Sequence, residues 1–590
     1  MKRTLLPMMV VTLCMFGTAG AQTFMDYVKE MKGDTAVIKD YTDMGSVANS
    51  LANALNSDTV NVPAGRVYEL KASGYYPITA NPTTSTRGVV IVGPDAIPLV
   101  NNTNAASAPP ILCGSTISGG TTNTGGINYG GNLTVKNCAI LPCASDQTLG
   151  WTFFWGSAPN SRVVLQNDLF ERTRWVEVAS NDVAGTSLFI NDCYFVNLSG
   201  QNCRRNGGVY DNVNNNTDTI WVENTTHVMA EGSMYKFRNF QIKALFFNHN
   251  TFVNCAGSTF ETQGYQGDMT VTNNIFVNSN LQPTSDSVLI TDASEVDPDK
   301  LPTGIINCTP LPDTMVQMER KILVDRNVVY WDPRFDNMDS ILNANKAWNT
   351  TTWVSQMITM NTRTQSMFDN NTQYPYLTEG KWFKKLPTFA DTKNLFTSQI
   401  DSLKAFAMAT VSDNASTAIL SDWRVTSTGA DNYLYSDWPI PINLSYTDAD
   451  LKISGNGGFP VGDLNWFPTQ KQAWVAQKAT EYVTLANELN TGILGVNDRG
   501  RVPAKFALEQ NFPNPFNPTT VINFTLPKAG VVTLKVYNVL GQEVATLVNG
   551  FKAPKTYKVE FDGASLATGV YFYTLKFGDK SITKKMLLLK

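Results

Sequence analysis

Acidic and basic side chains recur at matching positions in three segments of the chain. The segments are Gly208–Val213, Ser233–Arg238 and Ser258–Gln263. Because side chains alternate between the two faces of a strand, aligned strands would place Asp211, Lys236 and Glu261 in one column. Arg238 lies two residues along on the same face. This arrangement offers Lys236 and Arg238 as catalytic side chains, with Asp211 and Glu261 as ligands for a Ca²⁺ ion.

Electrostatics limits the chemistry of this column. Two neighbouring carboxylates favour the ammonium form of Lys236, whereas a base must be neutral. Ca²⁺ bound to the two acids would compensate for this effect. The alternative is a stacked ion ladder on the surface, which contributes little stability.

Aromatic residues precede each member of the column. Tyr210, Tyr235 and Phe260 would stack on neighbouring strands about 4.8 Å apart. If these rings face inward, the column is exposed to solvent. We predict that Tyr210, Asp211, Tyr235 and Glu261 form the substrate-binding part of this site.

A repeated eight-residue pattern would position these segments. Each copy has the order apolar, any, apolar, any, two mostly polar residues, any, apolar. The copies begin at Leu133, Val163, Leu188, Ile220, Leu245, Met269 and Ile322. The clearest steps are about 25 residues, which is typical of a solenoid. Apolar alternation predicts strands, and asparagine at a fixed position suits a bend with left-handed backbone and hydrogen bonds between coils.

Asparagines at this bend carry a resemblance to a known family. Asn250, Asn274 and Asn327 occupy the second polar position of their copies. The repeat resembles the right-handed parallel β-helix of the pectate-lyase-like superfamily, whose coils stack asparagine in one turn. The resemblance implies an all-β solenoid with helical caps, but a fold alone does not establish an enzyme.

Within that family, polysaccharide lyases use a lysine or arginine to remove the proton beside a uronate carboxylate, while cations neutralise that carboxylate. The Lys236 column resembles such a site in kind, so the resemblance implies β-elimination in uronate-containing glycans as an enzyme alternative. The Gly-His-Gly and Arg-x-Lys tripeptides of β-helix polygalacturonases do not occur. Of the two histidines, His227 falls at an apolar position and is predicted to be buried, and His249 is predicted to be a hydrogen-bonded turn residue.

Length and composition limit the domain organisation of the chain and the partners it can bind. The chain has 590 residues, which is too long for one ordinary domain. Charged residues make up 16%, below the roughly 25% of typical soluble proteins. The net charge of −4 provides no basic face for nucleic acid.

The N-terminus has the features of a signal peptide over residues 1–21. A basic start, Met1–Arg3, precedes an apolar run from Leu5 to Phe16. Ala19-Gly20-Ala21 fits a signal-peptidase site. We therefore expect an exported chain without a membrane span after cleavage.

Cysteine usage is consistent with export but does not define a disulfide pattern. After the signal peptide the cysteines are Cys113, Cys138, Cys143, Cys193, Cys203, Cys255 and Cys308. The odd number leaves at least one thiol unpaired. Cys138 and Cys193 share the position of the bend asparagines, so we expect small buried residues there. No Cys-x-x-Cys motif predicts a zinc site.

The remaining chain divides into distinct regions. We predict an N-terminal helical cap over 22–58, with a helix from Ser46 to Asn56 capped by Ser46, and a β-helix over 59–332. Region 333–492 lacks the repeat and ends in a closing helix, Thr469–Leu489. Its tryptophans either fill a small core or line a sugar-binding surface. Residues 493–506 read as a linker.

The last segment, 507–590, carries the most specific signal. Its characteristic stretches are Ala507–Phe524, Val536–Val544, Leu566–Tyr573 and Lys584–Lys590. Alternating strands between Gly, Asn and Pro turns predict a small β-sandwich. The segment resembles the type A C-terminal sorting domain of the type IX secretion system, which implies that this secretion machinery is a partner and that the protein is displayed on the surface or released.

Together these features predict an exported, cell-surface or extracellular β-helix protein. We expect a glycan-binding, adhesive or envelope structural role. The alternative is a polysaccharide lyase acting at the Lys236 column, with Ca²⁺ as a possible cofactor.

Overall fold

The fold is described by a computed structural model that covers residues 22–590. The described range has gaps at 80, 85–86, 95–97, 103–107, 117–121, 124, 145–147, 201–205, 214, 239, 262–263, 286–298, 300, 312–315, 346–351, 410–437, 495–505, 528–529 and 553–555.

Three long sheets form a parallel β-helix, which confirms the predicted all-β fold. The first sheet contains Val28–Lys32, Thr35–Ile38, Val67–Glu69, Val89–Val92, Leu133–Lys136, Arg162–Gln166, Thr186–Asn191, Thr217–Glu223, Ile242–Asn248, Gln266–Thr272, Ile322–Asp325 and Leu377–Glu379. The second contains Tyr75–Ile78, Ile111–Thr116, Ala139–Leu141, Leu169–Glu171, Tyr194–Leu198, Thr226–Ala230, Thr251–Cys255, Ile275–Ser279, Asn327–Tyr330 and Trp382–Lys384, with Thr122–Asn123 beside it. The third contains Thr83–Thr84, Ile127–Tyr129, Phe154–Gly156, Val176–Ser180, Gly208–Asp211, Tyr235–Lys236 and Phe260–Glu261.

Each eight-residue copy crosses from the first sheet to the second through a sharp bend. In the copy that begins at Leu245, the first polar residue, His249, adopts a left-handed φ of 54°. The second polar residue, Asn250, instead uses its side chain, and its Nδ2 donates to Asn274 Oδ1 at 3.0 Å. The predicted bend therefore divides its two tasks between adjacent residues.

Stacked rings fill the core between the sheets. Phe195, His227 and Phe252 lie on consecutive coils, with the imidazole 5.0 Å from one ring and 4.2 Å from the other. Burial lowers the pKa of His227 to about 3, so this side chain is neutral. His227 is fully buried, which confirms its predicted place in the core.

The N-terminal cap differs from its prediction. It combines the antiparallel hairpin of Val28–Lys32 and Thr35–Ile38 with a helix over Ser50–Ser57. The predicted start and cap at Ser46 are wrong, because Ser46 and Asn49 both have left-handed backbone, which interrupts a helix. Leu51 and Leu55 of the helix are buried as their spacing predicts.

The β-helix extends beyond residue 332, where the sequence pattern ends. Leu377–Glu379 and Trp382–Lys384 add one further coil by parallel pairing. The intervening segments cover the outer face of the second sheet and form a second core. Trp438 is buried in this core and Trp353 is also buried, which favours the core interpretation of the tryptophans. Trp348 and Trp423 lie outside the described residues.

This region also contains α-helices and two short antiparallel strand pairs. The helices are Met338–Ala344, Thr362–Asp369, Ser398–Met408, Pro468–Val475 and Lys478–Thr491, and the pairs join Thr284–Ser285 with Trp353–Val354 and Phe389–Asp391 with Asn443–Tyr446.

The closing segment docks on the bend between the first and second sheets. Gly462 donates its N–H to the carbonyl of Asn273 at 2.7 Å. Asp463 accepts a hydrogen bond from Thr226 Oγ1 at 2.7 Å. In the closing helix, Lys478–Thr491, Glu481 Oε1 lies 3.2 Å from His249 Nε2. Residues 462–466 (Gly-Asp-Leu-Asn-Trp) therefore bind along the asparagine bend, and we call this stretch the clasp.

Cysteines are free and buried throughout the described residues. They are Cys113, Cys138, Cys143, Cys193, Cys255 and Cys308. Cys138 and Cys193 occupy the bend position as small buried residues, as predicted. Cys203 lies outside the described residues.

The C-terminal segment forms two antiparallel sheets around its own core. One sheet contains Ala507–Leu508, Thr519–Thr525 and Thr556–Asp562, and the other contains Gly530–Tyr537, Glu543–Lys552, Gly569–Phe577 and Lys580–Leu588. The predicted small β-sandwich is therefore present.

Candidate functional site

The charged column of the third sheet has the predicted register. Asp211 pairs with Lys236, and Lys236 pairs with Glu261, on successive parallel strands. Tyr210 and Tyr235 pair one residue earlier and face the core. Sequence alternation alone was sufficient to bring these side chains together.

The predicted exposure of the column is wrong. Asp211, Lys236 and Glu261 are each at most 1% exposed. Side chains from the segments that precede the third-sheet strands lie over them: Trp175 Nε1 donates to Asp211 at 3.0 Å, and Lys236 Nζ donates to Asn206 at 3.4 Å. Strand alternation predicts which face a residue occupies, but not what covers that face.

Asp211 and Arg238 form a bidentate ion pair. Arg238 donates from Nε and Nη2 to the two oxygens of Asp211, both at 2.9 Å. The Val213 N–H also donates to Asp211 at 3.0 Å. A carboxylate with this set of donors holds its arginine in a fixed position, which is the arrangement of a structural ion pair.

The predicted Ca²⁺ ligands do not fit that ion. Lys236 lies between Asp211 and Glu261 along the column, and the oxygens of Asp211 already accept hydrogen bonds. Calcium needs six to eight oxygen ligands. Within the described ranges, no group of three or more His, Cys, Asp or Glu side chains has the geometry of a metal site.

A cluster of three tryptophans lies beside this column, and the sequence analysis missed it. Trp155 is on the third sheet, two strands before Asp211 in the same outward row. Trp151 and Trp175 occupy equivalent positions on adjacent coils, since the N–H of Val176 donates to the carbonyl of Trp151. Their spacing of one coil was the available signal. We call Trp151, Trp155 and Trp175 the tryptophan patch.

The tryptophan patch presents rings to solvent. Trp151 is 44% exposed, and Trp155 and Trp175 are partly exposed. The rings of Trp155 and Trp175 are 5.8 Å apart at 63°. The guanidinium of Arg174 lies 4.8 Å from the Trp151 ring centre. One face of the Trp151 ring therefore makes a cation–π contact with Arg174.

Chemically, the tryptophan patch combines apolar ring faces with charged hydrogen-bonding groups. Trp175 is tied to Asp211, and Asp211 is tied to Arg238, whose side chain is 12% exposed. A flat ring packs against the C–H face of a sugar, while an exposed guanidinium N–H donates to its hydroxyls. The patch is therefore suited to a sugar residue.

The aromatic row of the first sheet has a different geometry. Trp221 and Phe246 stack on each other at 3.8 Å and 20°, and Tyr482 of the closing helix packs against both edge-on. Their faces are therefore used within the protein. This row stabilises the sheet, and one face of each ring is covered by the other.

A cleft of about 380 Å³ lies where the clasp meets the bend. An ion pair between Lys471 Nζ and Asp192 Oδ1, at 2.6 Å, lies in its wall. Pro98, Leu99 and Val100 form much of its apolar lining. None of the predicted site residues contributes to this cleft.

Comparison with known proteins identifies one part of the chain. Residues 510–589 match the family described as the secretion system C-terminal sorting domain. This match confirms the predicted type IX sorting domain. A search of curated proteins found no match, and a search of solved structures also found none.

The sorting domain establishes the destination of the protein. It is secreted to the cell surface or the extracellular space, and the type IX secretion machinery is its partner. Among the described residues, no helix has the length and apolar character needed to cross a membrane.

Proposed function

We propose that this secreted β-helix protein binds glycans through the tryptophan patch, and that it serves in adhesion or envelope structure. Export would begin with the signal peptide at residues 1–21, which is then removed from the mature protein. The observation that carries the proposal is the exposed ring of Trp151 beside Trp155 and Trp175. Arg174 packs against Trp151, and the Asp211–Arg238 ion pair lies beside Trp175.

Sugar binding also agrees with the destination of the chain. A surface protein meets polysaccharides of its own envelope and of its surroundings. Stacking on tryptophan requires no movement of the β-helix, because Trp155 lies in a paired strand and Trp175 directly precedes one. Weak individual contacts repeated along a polysaccharide can add up through several binding events.

A glycan array tests this proposal. The full chain is compared with the double variant Trp151→Ala, Trp155→Ala, and with Phe512→Ala as a control that removes an 81% exposed ring from the sorting domain. We expect binding to at least one glycan class by the full chain and the control, and loss in the double variant. Binding to no glycan, or equal binding by all three proteins, would reject the proposal.

Polysaccharide lysis by β-elimination is the second candidate function. The observation that favours it is the presence of two basic side chains, Lys236 and Arg238, in the charged column. The flanking carboxylates of Asp211 and Glu261 weigh against it, because they favour the ammonium form of Lys236. Burial of the column weighs against it, because a base must reach its substrate. A substrate-induced opening of this face would be required.

The lyase candidate is tested by incubating the full chain with uronate-containing polysaccharides, with and without Ca²⁺, and recording the ultraviolet absorbance of unsaturated uronate ends. Lys236→Gln is compared with Lys243→Gln, whose side chain is 63% exposed and paired with Asp218. A product that disappears only in Lys236→Gln would support the lyase. No product from the wild type would reject it.

A further inference from the structure

A buried arginine near the end of the β-helix has no counter-charge among the residues that the structure describes. Arg320 is 3% exposed and lies just before the first-sheet strand Ile322–Asp325. Its Nη1 donates to the carbonyl of Thr309 and its Nη2 to Gln266 Oε1, both at 2.6 Å. Both acceptors are neutral. Among the described residues, no carboxylate forms an ion pair with Arg320.

Neighbouring charges do not solve this problem. The closest basic neighbour, Arg363, donates from Nη1 to Asp299 at 2.6 Å, so that acid is already engaged. Burial lowers the pKa of Arg320; Cys308 and Tyr374 oppose this effect, and the positive charge of Arg363 adds to it. A guanidinium nevertheless stays protonated in a protein. A buried charge without a partner is strongly unfavourable, so this region needs a negative charge from elsewhere.

Two unused donors adjoin each other at this point. Arg320 Nε and Gln266 Nε2 are both buried, and neither has an acceptor in the described part of the chain. Nε and Nη2 lie on the same edge of a guanidinium, so the free Nε is next to the amide that Nη2 contacts. Rotating the Gln266 amide would not help, because its NH₂ group would then face a donor.

We propose that Arg320 and Gln266 form a buried binding site for a small monovalent inorganic anion such as chloride. The anion accepts hydrogen bonds from Arg320 Nε and Gln266 Nε2 and neutralises the guanidinium. It thereby stabilises the last coils of the β-helix. This site is independent of the tryptophan patch.

Thermal unfolding of the full chain tests the site. Sodium chloride is compared with sodium gluconate at equal ionic strength, because gluconate is too large to enter a buried site. We expect chloride to raise the unfolding midpoint by at least about 2 °C, with saturation. Arg162→Gln, at an exposed arginine, is the control and should respond like the wild type.

Gln266→Glu is the decisive variant, because a carboxylate at that position supplies the missing charge from within the chain. We expect it to fold and to lose the chloride response. Chlorine-35 NMR provides a second measurement: the wild type should broaden the chloride line, and Gln266→Glu should not. Equal midpoints of the wild type in the two salts, or an unchanged chloride response in Gln266→Glu, would overturn the proposal.

Discussion

Replacing one asparagine of the bend should destabilise the whole β-helix. Asn274 is fully buried and uses both ends of its amide. Its Oδ1 accepts from Asn250 N at 2.9 Å and from Asn250 Nδ2 at 3.0 Å, and its Nδ2 donates to Asn327 Oδ1 at 3.0 Å and Phe247 O at 3.1 Å. Asn274→Ala removes all of these hydrogen bonds and leaves each partner buried.

The magnitude follows from the count of lost partners. A typical hydrogen bond contributes about 1 kcal/mol, and a buried partner left unsatisfied costs about 1–3 kcal/mol. We therefore expect Asn274→Ala to lower the free energy of unfolding by about 4 kcal/mol. Unfolding entropy of about 2 cal/mol/K per residue gives about 1 kcal/mol/K for a unit of roughly 470 residues. The midpoint of the β-helix transition should fall by about 4 °C.

Differential scanning calorimetry of the full chain measures this shift, and the sorting domain provides a separate transition as an internal reference. Asn132→Ala is the matched control, since Asn132 is exposed and accepts one hydrogen bond, from Arg162 N at 2.8 Å. We expect its effect to stay below about 1 kcal/mol. A loss for Asn274→Ala no larger than that for Asn132→Ala would refute the view that the asparagine bend holds the coils together.

Three further predictions concern Glu223, the clasp and export. Burial raises the pKa of Glu223 from 4.5 to about 7. The stability that this carboxyl contributes is therefore greatest below pH 4.5 and is lost as the pH rises through 7. In denaturant titrations at several pH values, Glu223→Gln should reduce this loss by up to about 3 kcal/mol. Gly462→Ala would place a methyl group 2.5 Å from Ile275, and should expose the clasp to proteolysis. Deletion of 510–589 should retain the chain inside the cell, as measured by fractionation.

One of these predictions has a control variant, and each has an outcome that would contradict it. Gly458 has a left-handed φ of 83°, close to the 88° of Gly462, but a methyl group there would meet no atom within 4 Å. Gly458→Ala should therefore leave the clasp more resistant to proteolysis than Gly462→Ala does. Equal cleavage of the two variants would contradict the clasp. An unchanged pH profile in Glu223→Gln would contradict the role of that carboxyl. Secretion of the truncated chain would show a second export signal.

Much of the fold could be predicted because its determinants are local and repeated. The eight-residue pattern specifies two strands and a bend, and the asparagines hydrogen-bond to their counterparts on the next coil. The column of Asp211, Lys236 and Glu261 followed from the same periodicity. The coil formed by Leu377–Glu379 and Trp382–Lys384 was missed, because its strands are only three residues long and follow a long insertion.

Burial and long-range contacts were beyond the sequence pattern. The column was expected on the surface, yet Trp175 and Asn206 from other segments lie over it. The clasp also joins distant parts of the chain, as in the contact of Asp463 with Thr226. No periodicity reports such contacts, which depend on where non-repetitive segments return to the β-helix.

Isothermal titration calorimetry tests the central claim most directly. It uses a glycan that the protein binds on the array, and it compares the full chain with Trp151→Ala. Stacking of a nucleic-acid base on an aromatic side chain is worth about 1–3 kcal/mol. Taking a value of about 1.4 kcal/mol for a sugar ring on Trp151, the account predicts a dissociation constant about tenfold weaker in Trp151→Ala. Trp221→Ala, which changes a tryptophan on the first sheet, should bind as the wild type does. Unchanged affinity in Trp151→Ala would contradict the account and place any glycan site elsewhere on the protein.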